Sequence, residues 1–389
     1  MTASSAPQQP KIGDLAAAAG IERVHILAWR DLDDPEAGGS ELHIHEVAQR
    51  WAAAGLKVTM RTSYAAGRAP EVVRDGYRVI RRAGRYLVFP RAVLSERLGR
   101  HGPSDALVEI WNGVPFLSPL WYPGRRLVLL HHVHGEMFRM VLPPRLGRIG
   151  ELLERRVAPP FYRRTTVATL SESSRREILE SLRLPADRVA VVPPGIDDRY
   201  RVPPTVPRSR HPLVVAVGRL VPAKRHDLLI RAAAEARREV PDLQLRIIGE
   251  GYEREALERL VDDLGAHGWV ELAGRLTDDE LVAAYQEAWV VASASSHEGW
   301  GMTVTEAAAC GTPAVVTDIA GHADAVDPGR SGVLCPPEAL GAELARVLAD
   351  PAERRRLSEG ALARAAQLSW DETARRLFAL LAGDPHPAP

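Results

Sequence analysis

Short apolar runs rich in β-branched residues, each followed by a loop and a stretch of helix length, recur from one end of the chain to the other. Near-continuous apolar runs mark strands buried on both faces, and their alternation with helical segments predicts parallel sheets covered by helices. In the first half the pattern predicts strands at 24–29, 57–61, 106–110, 127–130, 166–170 and 189–192. Helices are expected in the gaps, among them 40–54, opening on Ser40 as N-cap and closing at Gly55, and an arginine-bearing helix at 147–162. Pro193, Pro194 and Gly195, followed by the Pro- and Arg-rich stretch 201–212, interrupt the periodicity and put a domain boundary there. The alternation then resumes with strands at 213–217, 244–248, 270–272, 290–292, 314–316 and 332–334 and helices at 224–239, 253–264, 278–288 and 304–310. Three further helices, 338–349, 352–367 and 370–382, close the chain. The fold class this predicts is α/β: two doubly wound, Rossmann-like domains facing each other across a cleft, with ligands outside the carboxyl ends of the strands.

Composition narrows the function classes. The 389 residues are 46% apolar and 26% charged, ordinary for a soluble globular chain of two or three domains. Cys310 and Cys335 are the two cysteines, which excludes a disulfide framework, a zinc ribbon or a CxxC redox pair and fits a reducing compartment. The opening residues lack the charged-then-apolar order of a signal peptide, and no run nears the ~18 apolar residues of a membrane span, so neither secretion nor insertion is expected. Fifty basic residues balance fifty acids, which argues against general nucleic-acid affinity. Before residue 196 there are 28 Lys and Arg against 20 Asp and Glu, and after it 22 against 30, so the halves carry +8 and −8. Such an asymmetry fits contact across a cleft, an anionic partner for the first half, or a plain scatter of solvated arginines.

The most informative stretch runs from His297 to Pro313. Glu298 and Glu306 stand eight apart across a glycine-hinged turn into a helix. Gly299 and Gly301 let backbone approach a ligand closely, and the N–H groups of Met302, Thr303, Val304 and Thr305 at the helix start form an anion site that suits a diphosphate. Glu298 then reaches a polyol on one side of the phosphates and Glu306 a ribose on the other. Two plainer readings stand beside these: Thr303 and Glu306 have capping-box spacing, and Glu298 is a solvated loop acid.

This Glu-x7-Glu segment with its Gly-Trp-Gly turn resembles the signature of retaining GT-B glycosyltransferases of family 4, and further stretches agree along most of the chain. Val217 to Lys224 is similar to the family's G-R-L-x-x-x-K segment, which implies that Arg219 and Lys224 neutralise the donor's diphosphate. Lys224 is one of 3 lysines against 47 arginines, a departure from the chain's own bias. Gly38 and Gly39 resemble the glycine loop whose amides face the β-phosphate and the transferring sugar. His131, His132 and His134 follow a strand where the family carries a histidine beside the donor sugar; the strand-end position favours His131 or His132, the H-x-H pattern His134. Gly249, in Ile248-Gly249-Glu250-Gly251, resembles the turn beside the nucleoside, and Arg275 and Leu276 the loop whose backbone holds the base. Thr169 to Ser173 is similar to the family's strand-then-serine segment, Pro194 to Asp197 to its linker, and the helix from Trp370 to the one that crosses back onto the N-terminal domain. Asp31-x-Asp33 imitates the metal-binding DxD of a different glycosyltransferase fold and reads instead as a pair of solvated loop acids.

The resemblance implies an N-terminal acceptor-binding domain over 1–195, a C-terminal nucleotide-sugar domain over 196–368 and a crossover helix and tail over 369–389. The implied activity is retaining, metal-independent transfer of a sugar from a nucleotide-diphosphate sugar to an acceptor hydroxyl by a front-face route, with Glu298 orienting donor hydroxyls. The sugar nucleotide is a co-substrate, and no cofactor or metal is expected. Competing readings are a sugar-nucleotide epimerase or phosphorylase of the same architecture and a non-catalytic donor-binding subunit; an NAD enzyme is disfavoured by the missing G-x-G-x-x-G. The acceptor is a small molecule, a glycan or a lipid-linked one, and nucleic acid is not expected. A cytoplasmic location is expected, with peripheral contact at the inner membrane face as an extension: the arginine-dense stretches 74–100 and 139–164 suit an anionic lipid surface, and equally read as solvated helix faces. UDP, GDP and ADP remain open as the donor's nucleotide, as do the sugar and the oligomeric state.

Overall fold

A computed structural model describes residues 9–135, 138, 144–202 and 208–383. The chain divides into two compact units, Met1–Gly195 with Trp370–Pro389, and Ile196–Ser369.

In the first unit eight strands form one sheet: β1 (Arg23–Leu27), β2 (Lys57–Thr62), β3 (Glu71–Arg74), β4 (Tyr77–Arg81), β5 (Ala106–Ile110), β6 (Arg125–Leu129), β7 (Thr166–Thr169) and β8 (Val189–Val191). Their order is β3-β4-β2-β1-β5-β6-β7-β8, parallel throughout except that β3 runs antiparallel to β4. Val24 and Ile26 of β1 pack with Ile44, Val47 and Trp51 from the helix Gly39–Ala53 and with Leu377 and Phe378 from the last helix, Trp370–Ala382. The Trp51 indole donates to the Ala374 carbonyl (3.0 Å) and meets the Phe378 ring edge-on, so the final helix returns to the first unit, as expected.

The β3–β4 hairpin was not expected. It turns at Asp75 and Gly76, both at positive φ (43° and 84°), the requirement that makes Asp-Gly a hairpin signal. Arg81 of β4 is buried and donates to Asp31 (2.6 Å), also bonds Asp33, and Arg74 pairs with Asp33 (2.6 Å). Asp31 and Asp33 are therefore not solvated loop acids; they clamp the loop after β1 to the hairpin. Arg78 pairs with Glu71 and Arg85 with Glu36, while Arg91 and Arg97 of the helix Val88–Arg97 are exposed, so the 74–100 stretch is part strand and hairpin and part solvent-facing helix. The expected helix 147–162 is three pieces: Pro144–Leu152, a π-turn Leu153–Val157, and Pro159–Tyr162. Pro159 and Pro160 have no N–H to carry the α-helical ladder on, and the wider turn falls just before them.

The second unit holds a six-stranded sheet, all parallel, of β9 (Leu213–Val217), β10 (Gln244–Ile248), β11 (Val270–Gly274), β12 (Val290–Ser293), β13 (Ala314–Thr317) and β14 (Gly332–Cys335), in the order β11-β10-β9-β12-β13-β14. Val214, Ile247 and Val290 pack against Leu229 and Ala233 of the helix His226–Ala236 and Leu344 and Val347 of the helix Leu340–Ala349. Cys310 and Cys335 are free and buried. Among the described residues, no helix is long and apolar enough to cross a membrane.

Candidate functional site

In the second sheet β10 and β11 lie to one side of β9, and β12, β13 and β14 to the other. The connections leaving β9 and β12 at their carboxyl ends therefore run toward opposite edges of the sheet, and ligands of such sheets bind at this switch point. The loop after β9 carries Gly218 and Arg219 and ends in the turn Pro222–Lys224; the loop after β12 carries Ser295 to Gly301. Lys224 Nζ bonds Glu298 Oε1, and Ser295 Oγ donates to the same oxygen (2.9 Å). The Ser296 N–H bonds the Ala223 carbonyl (2.9 Å), which ties the two loops through main chain as well. Burial pushes the Glu298 carboxyl up, but the Lys224 charge and hydrogen bond outweigh it and hold the acid below its ordinary value. Glu298 is thus an ionised, positioned carboxylate rather than a solvated loop acid. Arg219 is exposed and, among the described residues, forms no ion pair.

Gly301, at φ 95°, is the N-cap of the helix Met302–Ala309. The N–H groups of Val304 (3.0 Å) and Thr305 (3.4 Å) return to the Gly301 carbonyl. Among the described residues those of Met302 and Thr303 take no partner, so the anion site has two amides rather than the expected four. Gly321, in the short helix Ala320–Ala325 after β13, supports this turn from behind: a Cβ there would stand 2.3 Å from the Glu298 carbonyl oxygen. Gly321→Ala is accordingly expected to shift the 298–301 loop, lowering stability by about 1–3 kcal/mol and nucleotide affinity at least about tenfold, read by thermal melting and calorimetry.

The capping box does not form, because the helix starts at Met302 and Glu306 lies a full turn in. Glu306 is buried, its Oε2 accepting from the Tyr285 hydroxyl (3.0 Å). Burial pushes its carboxyl up to about 7, against the opposing pull of the Tyr285 bond. A raised value makes the neutral acid the favoured folded form, so its contribution to stability is fully present below the ordinary 4.5 and is lost as pH rises through about 7. Glu306→Gln is expected to melt close to the parent at pH 5 and to lose less stability than the parent between pH 5 and pH 8; identical pH slopes would contradict this. Among the described residues Glu298 and Glu306 share no hydrogen-bond partner: one faces Lys224 and Ser295, the other Tyr285.

The turns after β9, β10 and β11 are laced to one another through main chain. Gly218 N–H bonds the Ile248 carbonyl (3.0 Å), Leu220 N–H that of Glu250 (2.9 Å), and Gly249 N–H that of Gly274 (2.8 Å). Gly249 is at φ 144° and a Cβ on it would lie 2.0 Å from the Gly218 carbonyl oxygen, so only glycine allows this approach. Arg275 is exposed and Leu276 half-buried in the loop after β11.

In the first sheet the switch falls between β1 and β5. The N-cap of the helix after β1 is Gly38, not Ser40 as expected: the Glu41 side chain turns back to accept the Gly38 N–H (2.8 Å) and the Ser40 hydroxyl (2.9 Å). Gly38's amide is thereby engaged, leaving the Gly39 amide for an anion. Beyond β6, His131 is buried with Nε2 on Nδ1 of His43 (2.9 Å), and burial pulls it down to about 4. His43 in turn lies against the Trp370 ring, at 5.5 Å between centroids. His132 and His134 are stacked at 4.5 Å and half-buried. The buried Glu154 accepts the N–H groups of His134 and Gly135 (2.9 Å each), with His134 Nδ1 3.5 Å away, so the π-turn that carries Glu154 braces the histidine loop. His131 bonds His43, while the His132 and His134 rings stack on each other. Ser171 is a plain N-cap, accepting from the Ser174 N–H (3.1 Å). Ser295, Tyr285, Gly321 and Glu154 carry no motif of their own, and only their contacts bring them in.

Comparison with known proteins agrees with this layout. Residues 37–200 match the model described as Glycosyltransferase Family 4, and residues 203–364 that described as Glycosyl transferases group 1. The chain is 31% identical to the D-inositol 3-phosphate glycosyltransferase of Corynebacterium urealyticum, over 92% of this chain and 93% of that protein. It is 31% identical to the GDP-mannose-dependent alpha-(1-6)-phosphatidylinositol monomannoside mannosyltransferase of Mycolicibacterium smegmatis, over 80% of this chain and 86% of that protein. In fold it is similar to sucrose-phosphate synthase from Thermosynechococcus elongatus (TM-score 0.78, 22% identity, 92% and 98% covered) and to WaaG, a glycosyltransferase involved in lipopolysaccharide biosynthesis (0.73, 19%, 92% and 100%). Two Rossmann-like domains of this kind make a GT-B glycosyltransferase fold. The chain belongs to glycosyltransferase family 4, and it is a glycosyltransferase.

Proposed function

We propose that this glycosyltransferase takes a nucleotide-diphosphate sugar as donor, holds it on the Ile196–Ser369 unit without a metal, and transfers the sugar with retention. The observation that carries this is the Lys224–Glu298 pair at the β9/β12 switch point, beside Arg219 and the Met302 and Thr303 amides. Lys224, although paired with Glu298, offers donors to a diphosphate leaving group together with Arg219 and those amides, and donors held in place before reaction stabilise such a group without reorganising. Glu298, kept ionised by Lys224 and Ser295, accepts hydrogen bonds from hydroxyls of the donor sugar. Gly299 and Gly301 admit the diphosphate to the backbone, the turns at Gly249 and at Arg275 and Leu276 serve the nucleoside, and Glu306 serves the ribose. In the first unit, the Gly39 amide and the His132/His134 pair are the groups we assign to sugar contact, and His131 braces its loop through His43.

In the proposed front-face step the bond from the anomeric carbon to the β-phosphate oxygen breaks first. That oxygen then takes the acceptor hydroxyl's proton while the acceptor oxygen bonds the anomeric carbon on the same face. Glu298 is not a nucleophile here, because its charge is matched by Lys224. The acceptors named for the relatives make a phosphorylated polyol or a lipid-linked polyol the class to try first. The test is to incubate the protein in EDTA with UDP-, GDP- and ADP-hexoses, with and without an inositol phosphate or a phosphatidylinositol mannoside. Acceptor-dependent release of one nucleoside diphosphate, with the donor's anomeric configuration kept in the product, is expected. Acceptor-independent conversion of the sugar nucleotide, or an inverted product, would overturn the reading.

A further inference from the structure

The segment from Arg145 to Arg164 presents two unlike faces. Gly147, Gly150 and Glu154 point inward, with Phe138 filling the space that a Cβ on Gly150 would need. Leu146, Ile149, Leu152, Val157 and Phe161 point outward and are 42–55% exposed. Single exposed leucines are ordinary, but five large apolar side chains on one 16-residue stretch form a patch that calls for a partner. Arginines are interleaved with them, six against two glutamates over 145–164, and one of those glutamates, Glu154, is buried. Among the described residues Arg145, Arg148, Arg156, Arg163 and Arg164 form no ion pair. A face both apolar and unneutralised cationic fits a surface offering hydrocarbon and negative charge together, as an anionic bilayer does. A partner helix with an apolar stripe would not need five unpaired arginines.

The position gives the surface a use. The helix Pro144–Leu152 follows the histidine loop after β6 and is braced to it by Glu154, at the carboxyl end of the first sheet. The helix Val88–Arg97 likewise follows the carboxyl end of β4, and Tyr86 and Leu87 just before it and Leu94 and Arg91 within it are exposed as well. We infer that the outward face of 145–164 docks on an anionic lipid surface, so that the acceptor reaching the first unit is carried by a lipid. This identification of the acceptor class rests on the transferase reading above; the docking itself does not.

Sedimentation of the purified chain with vesicles of phosphatidylcholine containing about one third phosphatidylglycerol tests the docking. Binding is expected to be at least about tenfold weaker on pure phosphatidylcholine or at high salt. The double variant Ile149→Glu with Leu152→Glu is expected to lose about tenfold in binding to the anionic vesicles. The control variant Leu264→Glu with Leu362→Glu, on exposed leucines of the second unit, is expected to bind as the parent does. Nucleoside diphosphate affinity, measured on the same proteins, shows that the variants are folded and reports separately on the donor reading. Equal binding to both vesicle types, or binding untouched by the double variant, overturns the inference. So does a parent dimer that the double variant dissociates in the absence of vesicle binding, which assigns the face to a second copy of the chain.

Discussion

Lys224→Ala is expected to lower turnover about a thousandfold, close to 4 kcal/mol of transition-state stabilisation, while costing only about 1–2 kcal/mol in folding stability. The two figures separate because of where the ammonium stands. Its side chain is 22% exposed and that of Glu298 17%, so solvent relieves part of the charge left behind when the lysine goes. Ser295 still donates to Glu298 in the variant. The leaving diphosphate, by contrast, loses the one lysine of the crevice and the partner that positions the sugar-side acid. Lys224→Arg should restore stability more fully than turnover, since a planar fork replaces a compact point charge. Thermal melting beside steady-state kinetics reads both effects; unchanged turnover in a folded Lys224→Ala would remove the lysine from the site.

Glu298→Ala is expected to lower kcat/KM for the sugar nucleotide about a hundredfold and to leave affinity for the free nucleoside diphosphate within about threefold of the parent. The loss follows from the charged hydrogen bonds to sugar hydroxyls. The retention follows from Lys224, which the variant frees of its counter-charge beside the diphosphate position. Calorimetry with the free nucleotide and kinetics with the sugar nucleotide distinguish the two, and equal losses in both would place Glu298 on the nucleotide rather than on the sugar.

What was legible in the sequence is what burial writes locally. β5, β9 and β10 fall on the expected residues because a strand covered on both faces is an unbroken apolar run. Lys224 and Glu298 were both singled out by motif, but their pairing spans 74 residues and no window contains it. The β3–β4 hairpin was missed although Asp75-Gly76 marks its turn locally, whereas the burial of Arg81 depends on Asp31, 50 residues earlier, and no window contains that contact. The interruption of 147–162 escaped because apolar spacing runs on through a π-turn, while the inward turn of Glu154 toward the His134 and Gly135 amides depends on a loop 20 residues away. Phe161 and Tyr162, read together as part of one arginine-rich stretch, part company in the fold: Tyr162 is buried with its hydroxyl on Glu109 (2.7 Å), and Phe161 faces outward. Ser40 lost the N-cap to Gly38 because Glu41 caps from inside the helix, a contact that spacing alone does not distinguish from a serine cap.

The most direct test of the account is calorimetric titration of the purified chain with UDP, GDP, ADP and NAD in the absence of metal, repeated on Lys224→Ala. The account predicts that one nucleoside diphosphate binds selectively, that NAD does not bind, and that the variant weakens the same titration at least about tenfold. Binding of none of the diphosphates, or of NAD alone, would contradict the assignment of the β9/β12 crevice to a sugar-nucleotide donor.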